Sequence, residues 1–131
     1  MKQEDKEILI RDLCGRLPYG VKAYIKNWSN LSRKYYEGVY IVESIDPSLN
    51  SILANSERSS VDVIVGYDDY EIKPYLFPLS SITKKRLEEL SEYIDIKNAY
   101  VAVDLLNSHH IDYRGLIEKE LAIDATGLNI Y

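Results

Sequence analysis

The residue types most capable of chemistry gather near the C-terminal third, at His109, His110, Asp112 and Arg114. A histidine beside a carboxylate can act as a general base, and histidines with carboxylates can hold a metal ion. The spacing argues against both uses. Adjacent residues on a helix point about 100° apart, so His109 and His110 do not easily share one metal. Zinc ligands on a helix are placed four residues apart, whereas Asp112 follows His109 by three and Asp104 precedes it by five. No G-x-S-x-G elbow accompanies the pair. We therefore expect no metal, no cofactor and no catalytic residue. The competing reading is that the two histidines close a helix, where a cation suits the dipole and the last carbonyls need donors. The run Asp112-Tyr113-Arg114-Gly115 then reads as a polar lock. Arg114 forks onto a carboxylate, Tyr113 packs its ring, and Gly115 supplies a positive φ after the helix.

A second constellation lies earlier. Between Val21 and Tyr36 there is no acid, but Lys22, Lys26, Arg33 and Lys34 interleave with Tyr24, Trp28, Tyr35 and Tyr36. Basic residues among aromatic faces are what a single-stranded nucleic acid needs, a charged groove with stacking platforms. The chain has 12 tyrosines against one phenylalanine and one tryptophan. Each buried phenol needs a hydrogen-bond partner, so several should be exposed. We expect this of Trp28 and of at least two among Tyr24, Tyr35 and Tyr36. The bland alternative is that Asp62, Asp68, Asp69 and Glu71 neutralise the stretch across a sheet. Cys14 is the only cysteine, which rules out an internal disulfide and suits a reducing compartment. Its place in an apolar helical pattern predicts a buried, inert thiol.

The elements that must position these residues follow from periodicity. Leu9 and Leu13 stand four apart in Glu4 to Arg16, a short amphipathic helix stopped by Gly15 and Pro18. In Val21 to Trp28, alternation puts Lys22, Tyr24, Lys26 and Trp28 on one face and Val21, Ala23 and Ile25 on the other. Tyr35 to Ile45, Ser48 to Ala54, Val61 to Val65 and Tyr70 to Lys73 read as further strands, the last pair joined by a hairpin turn at Gly66 to Asp69. Pro74 and Pro78 make the segment between them extended and rigid. Thr83 to Ile94 and Asn98 to His109 read as helices. Leu87, Leu90 and Ile94 face inward on the first, and Lys84, Lys85 and Arg86 oppose the dipole of its first turn. The tail from Gly115 carries apolar pairs that should dock. The expected fold is α+β in a single domain, residues 1–131. It has an N-terminal helix, a small antiparallel sheet or SH3-like barrel of four or five strands, and two C-terminal helices.

Length and composition agree. The chain has 131 residues with 46% apolar and 28% charged, enough for a core and wrong for a disordered chain. A net charge of −5 repels bulk nucleic acid at long range. No leader-like or membrane-spanning apolar run is present, so a cytoplasmic location is expected.

Three segments, DLCGRLPYGV at 12–21, KPYLFPLSS at 73–81 and HHIDYRGLI at 109–117, resemble a family of small proteins common in gut Bacteroidales genomes, prophages and phages. The resemblance implies a genomic context and carries no activity. The chain departs from the family pattern, which has acids where Lys84, Lys85 and Arg86 stand, a basic residue at Phe77 and a glycine at Glu120. The leading functional expectation is a non-enzymatic binding or accessory protein of a mobile element or its bacterial host, acting through a protein partner. The alternative is single-stranded nucleic-acid binding through Lys22, Tyr24, Lys26, Trp28, Arg33, Lys34 and Tyr36. A third reading is a small hydrolase or anionic small-molecule binder around His109, His110, Asp112 and Arg114.

Overall fold

The computed structural model describes residues 1–82, 88 and 99–131. Helix α1 spans Gln3–Arg16, with Glu4 and Asp5 in its first turn, where negative charge suits the dipole. Its buried face carries Leu9, Asp12, Leu13 and Arg16. A single 3-10 turn, Leu17–Tyr19, follows, and Gly20 at φ 67° redirects the chain. Five strands come next: β1 Lys22–Ser29, β2 Lys34–Asp46, β3 Ser51–Asn55, β4 Ser60–Ile64 and β5 Tyr70–Pro78. Helix α2, Ala99–Ser108, and two dipeptide strands, β6 Ile111–Asp112 and β7 Ile123–Asp124, complete the described elements.

Strands β1 to β4 form an antiparallel meander, and β5 returns to pair with β1 on its far side. Within a strand, successive residues send their backbone groups to alternate sides. The Trp28 N–H bonds the Asp69 carbonyl, so Asp69, Glu71 and Lys73 face β1. Pro74 therefore turns its ring nitrogen away from β1 and removes no ladder bond, which lets a proline sit inside β5. Beyond Pro74, β5 takes parallel partners on both sides. The Phe77 N–H bonds His110 beside β6, and the Leu76 carbonyl accepts from Ala125 beside β7.

The core lies between α1 and one face of the sheet. Leu9 and Leu13 meet Val21, Ala23, Ile25, Tyr40, Val42, Ile52, Ala54, Val63 and Ile72. A register shift between Val42 and Ser44 marks a bulge at Glu43. It moves the inward parity of β2 from Tyr40 and Val42 to Ile45, so the core continues past the bulge. The tail docks as expected, with Leu116, Leu121, Ala122 and Ala125 buried.

Among the described residues the sheet has seven strands and stays open, so the SH3-like barrel of four or five strands is corrected. The two extra strands are dipeptides, too short to show alternation. The barrel fails to close because β4 pairs with β3 and β5 with β1, leaving the turn after Ile64 without a hairpin ladder. Of the two expected C-terminal helices, α2 is observed. Thr83 to Ile94, with its first-turn Lys84, Lys85 and Arg86, falls outside the described residues apart from Glu88. Among the described residues no helix is long and apolar enough to cross a membrane.

Candidate functional site

The outward face of the sheet collects the first group of expected residues. Lys22, Tyr24, Lys26 and Trp28 share it and are each half-buried, while Val21, Ala23 and Ile25 on the other side are fully buried. Trp28 stands opposite Tyr35 on β2, with ring centroids 4.9 Å apart in an edge arrangement. The Lys26 ammonium lies 4.6 Å from the Tyr35 ring centroid. Tyr35 and Tyr36 are exposed, two of the three tyrosines as expected, whereas Trp28 is half-buried against the expectation, and Tyr24 is half-buried too. Cross-strand neighbours cover them.

The basic set does not act as one field. Ladder parity puts Lys34 and Tyr36, opposite Ser29 and Asn27, on the core side of the sheet beyond the edge of the core. There the Lys34 ammonium lies 5.3 Å from the Tyr36 ring centroid. Arg33 sits in the β1–β2 turn at φ 53°. Lys22 Nζ donates to the Ile130 carbonyl at 2.7 Å, so the tail already holds it. Lys26 is flanked by Glu37 on β2 and Glu71 on β5. Acids thus stand opposite Lys26 across the sheet, Glu71 among those the sequence singled out and Glu37 not, while the ion pair of Glu71 is with Lys73 at 3.5 Å. The Tyr24 hydroxyl donates to Glu37 at 2.5 Å, and that bond holds the phenol up at about 12.

Residues that the sequence reading missed enlarge this face. Val39, Ile41 and Leu53 are exposed and share it with Tyr35, which is 50% exposed. Val39 and Ile41 floor a groove of about 610 Å³ rimmed by Lys22, Asn55, Glu57 and Arg58. Alternation did place Val39 and Ile41 on one side of β2. Both sides of that strand are apolar, however, so parity alone could not say which faces the core.

The second group does not converge as a reaction centre. Helix α2 ends at Ser108, and His110 follows in the left-handed region at φ 58°, a place usually held by glycine. His110 is 8% exposed, and its ring stacks on Tyr131 with centroids 3.7 Å apart. Burial, with Arg16, His109 and Lys22 nearby, lowers its pKa to about 4, so it is a neutral ring and not the expected helix-closing cation. Asp112 is buried too, and its two carboxylate oxygens accept from the Leu116 and Ile117 N–H groups, both at 2.9 Å. Asp112 therefore shapes the turn at Gly115, φ +75°, with both carboxylate oxygens engaged by backbone N–H groups.

The polar lock is real, but its centre is on α1. Asp12 and Arg16, four apart on the helix, are fully buried and joined by two bonds, at 2.8 and 3.0 Å. Arg16 also donates to the Ile111 carbonyl at 2.6 Å. Arg114 Nε lies 3.2 Å from the same Asp12 carboxylate. Tyr113 sits beside both guanidinium groups and donates to Asn107 on α2. Asn107 presses against Gly15, where an added Cβ would lie 3.3 Å from its amide nitrogen. One network thus ties α1, α2 and the segment after it. The signal in the sequence was an acid–base pair at i, i+4 on the same helical face as Leu9 and Leu13.

Cys14 lies on the other side of α1 and is exposed, which corrects the expected burial. Partial burial still pushes its thiol up, away from the reactive thiolate. Among the described residues no three His, Cys, Asp or Glu side chains gather as a metal site. The chain matches no family profile, no curated protein and no solved structure.

Proposed function

We propose that the protein is a non-enzymatic binding protein that engages a protein partner through the outward face of its sheet. The observation that carries this reading is the exposed row of Tyr35, Val39, Ile41 and Leu53. Aliphatic side chains left in water beside an aromatic pair are the anatomy of an interface core, and the surrounding Lys26, Glu37 and Glu71 supply a polar rim. The resemblance to small proteins of gut Bacteroidales genomes and phages supports an accessory role for a mobile element or its host, in the cytoplasm. Single-stranded nucleic acid is the second reading, favoured by Trp28 and Tyr35 with the Lys26 ammonium over the Tyr35 ring. The acids beside Lys26 weigh against it.

Affinity capture from a native host lysate, with and without nuclease, separates the two. The first reading expects a protein retained after nuclease and lost with Ile41→Asp, a substitution at an exposed position. Capture that disappears with nuclease transfers the function to nucleic acid. An unchanged set of captured proteins with Ile41→Asp removes this face from consideration.

A further inference from the structure

The opening in the sheet has a definite chemistry. In the β3–β4 ladder the Val65 N–H bonds the Asn50 carbonyl, so Val61, Val63 and Val65 aim their backbone groups at β3. Ser60, Asp62 and Ile64 aim theirs the other way. Only the Ile64 carbonyl finds a partner there, the Tyr67 N–H in the following turn. Among the described residues no strand pairs with β4 on that side, which leaves the outward N–H and C=O groups of Ser60 and Asp62 and the Ile64 N–H outside any ladder. Across the turn, Ile72 on β5 likewise points away from β1. It is 4% exposed, and among the described residues no strand pairs with it on that side. Between β4 and β5 lies a groove of about 290 Å³, lined by Val63, Ile64, Tyr70, Ile72 and the acids around them.

We propose that the outer edge of β4 takes an extended basic segment of the partner protein as an added strand. Unpaired strand groups at regular spacing fit one ligand, another extended backbone. Charge selects its side chains. Asp62 stands exposed in the middle of β4, and Asp68, Glu71 and Glu120 line the groove beside it. Lys73, the one lysine or arginine lining that groove among the described residues, already contacts Glu71 at 3.5 Å, and Lys6 lines the adjoining groove with Asp62. A segment alternating lysine or arginine with apolar residues would set a cation against Asp62. A second copy of this chain fits poorly, because antiparallel pairing centred on Asp62 would oppose two like charges. The added strand would lie next to Asp62, which stands opposite Leu53, and so would extend the proposed outward surface by one strand beyond β4. The inference rests on the protein-partner reading and adds the form and charge of the partner's segment.

The test uses the full chain and a defined probe, an acetylated seven-residue peptide alternating valine and lysine, followed by amide NMR and hydrogen exchange. The expected result is slowing by about tenfold of exchange at Ser60, Asp62 and Ile64 when the peptide is added. Its valine–glutamate counterpart should leave these amides unchanged. Asp62→Lys should reverse the preference between the two peptides. Asp62→Pro should abolish protection with the fold retained, because the Asp62 N–H makes no bond to β3. No protection at these amides, or equal protection by both peptides, overturns the proposal. If that happens while Ile41→Asp still abolishes capture of the protein partner, the binding face stands and only the edge is excluded.

Discussion

At the scale of single residues, Asp12 and Arg16 are the costliest side chains to disturb. Both are fully buried, and Arg16 Nη1 has no hydrogen-bond partner among the described residues. Asp12→Ala strands a guanidinium in the core, and urea unfolding should show a loss of about 3–5 kcal/mol. Replacing both, as Asp12→Leu with Arg16→Met, should recover part of it, since the fully buried guanidinium goes with its carboxylate and only the partly exposed Arg114 loses a partner. His110 sets a pH dependence. Its pKa is 6.5 in the unfolded chain and about 4 in the fold, where burial first, and then Arg16, His109 and Lys22, oppose a positive charge. Between these values the unfolded chain binds a proton that the fold refuses. Stability is then full above about pH 6.5 and falls as pH drops towards 4, by about 3 kcal/mol in total. Urea midpoints near pH 7 and pH 4.5, compared with His110→Gln, should isolate this contribution. An identical pH slope in the variant would deny His110 the role.

At the scale of elements, the tail completes a ladder. The Tyr131 hydroxyl accepts from the Lys22 N–H at 3.0 Å and donates to the Tyr75 carbonyl at 2.7 Å. It bridges β1 and β5 one step beyond their paired residues. Tyr131→Phe should cost about 1–2 kcal/mol and speed exchange of the Lys22 amide, while leaving Ile25 protected. Core and surface strand positions should differ equally clearly. Ile25→Ala, at 0% exposure, should lose about 2–5 kcal/mol by thermal or urea unfolding, and Ile41→Ala, at 48%, well under 1. This contrast also marks what the sequence could reveal. Val21, Ala23 and Ile25 alternate with polar residues, so β1 was legible with its facing. Helix α1 was legible from Leu9 and Leu13. The partner of β5 was not, because pairing with β1 across more than 40 residues leaves no local pattern. Strands β6 and β7 are defined by two residues each, and only tertiary contact makes them strands. Of the candidate site, the outward side of β1 was readable by parity. The separation of Lys34 from Lys26 depended on the β1–β2 register, which no single strand contains.

At the scale of the molecule, charge placement decides what the outward face can meet. Glu37 and Glu71 stand on either side of Lys26, so the net charge of −5 is not relieved there. Fluorescence titration with a labelled oligonucleotide of about 12 nucleotides should therefore find tighter binding, by about tenfold or more at low salt, in Glu37→Lys with Glu71→Lys than in the parent chain. Equal binding would place any nucleic-acid contact elsewhere.

The bridge made by Tyr131 spans 109 residues of sequence. During synthesis β1 leaves the ribosome early, yet its β5 neighbour arrives much later and the hydroxyl that closes the ladder comes last. At roughly 5–20 residues per second, the nascent chain holds an unfinished sheet edge for several seconds. Over that interval the apolar face of β1 is exposed to whatever else is in solution, and residue 131 must clear the exit tunnel before the edge is sealed.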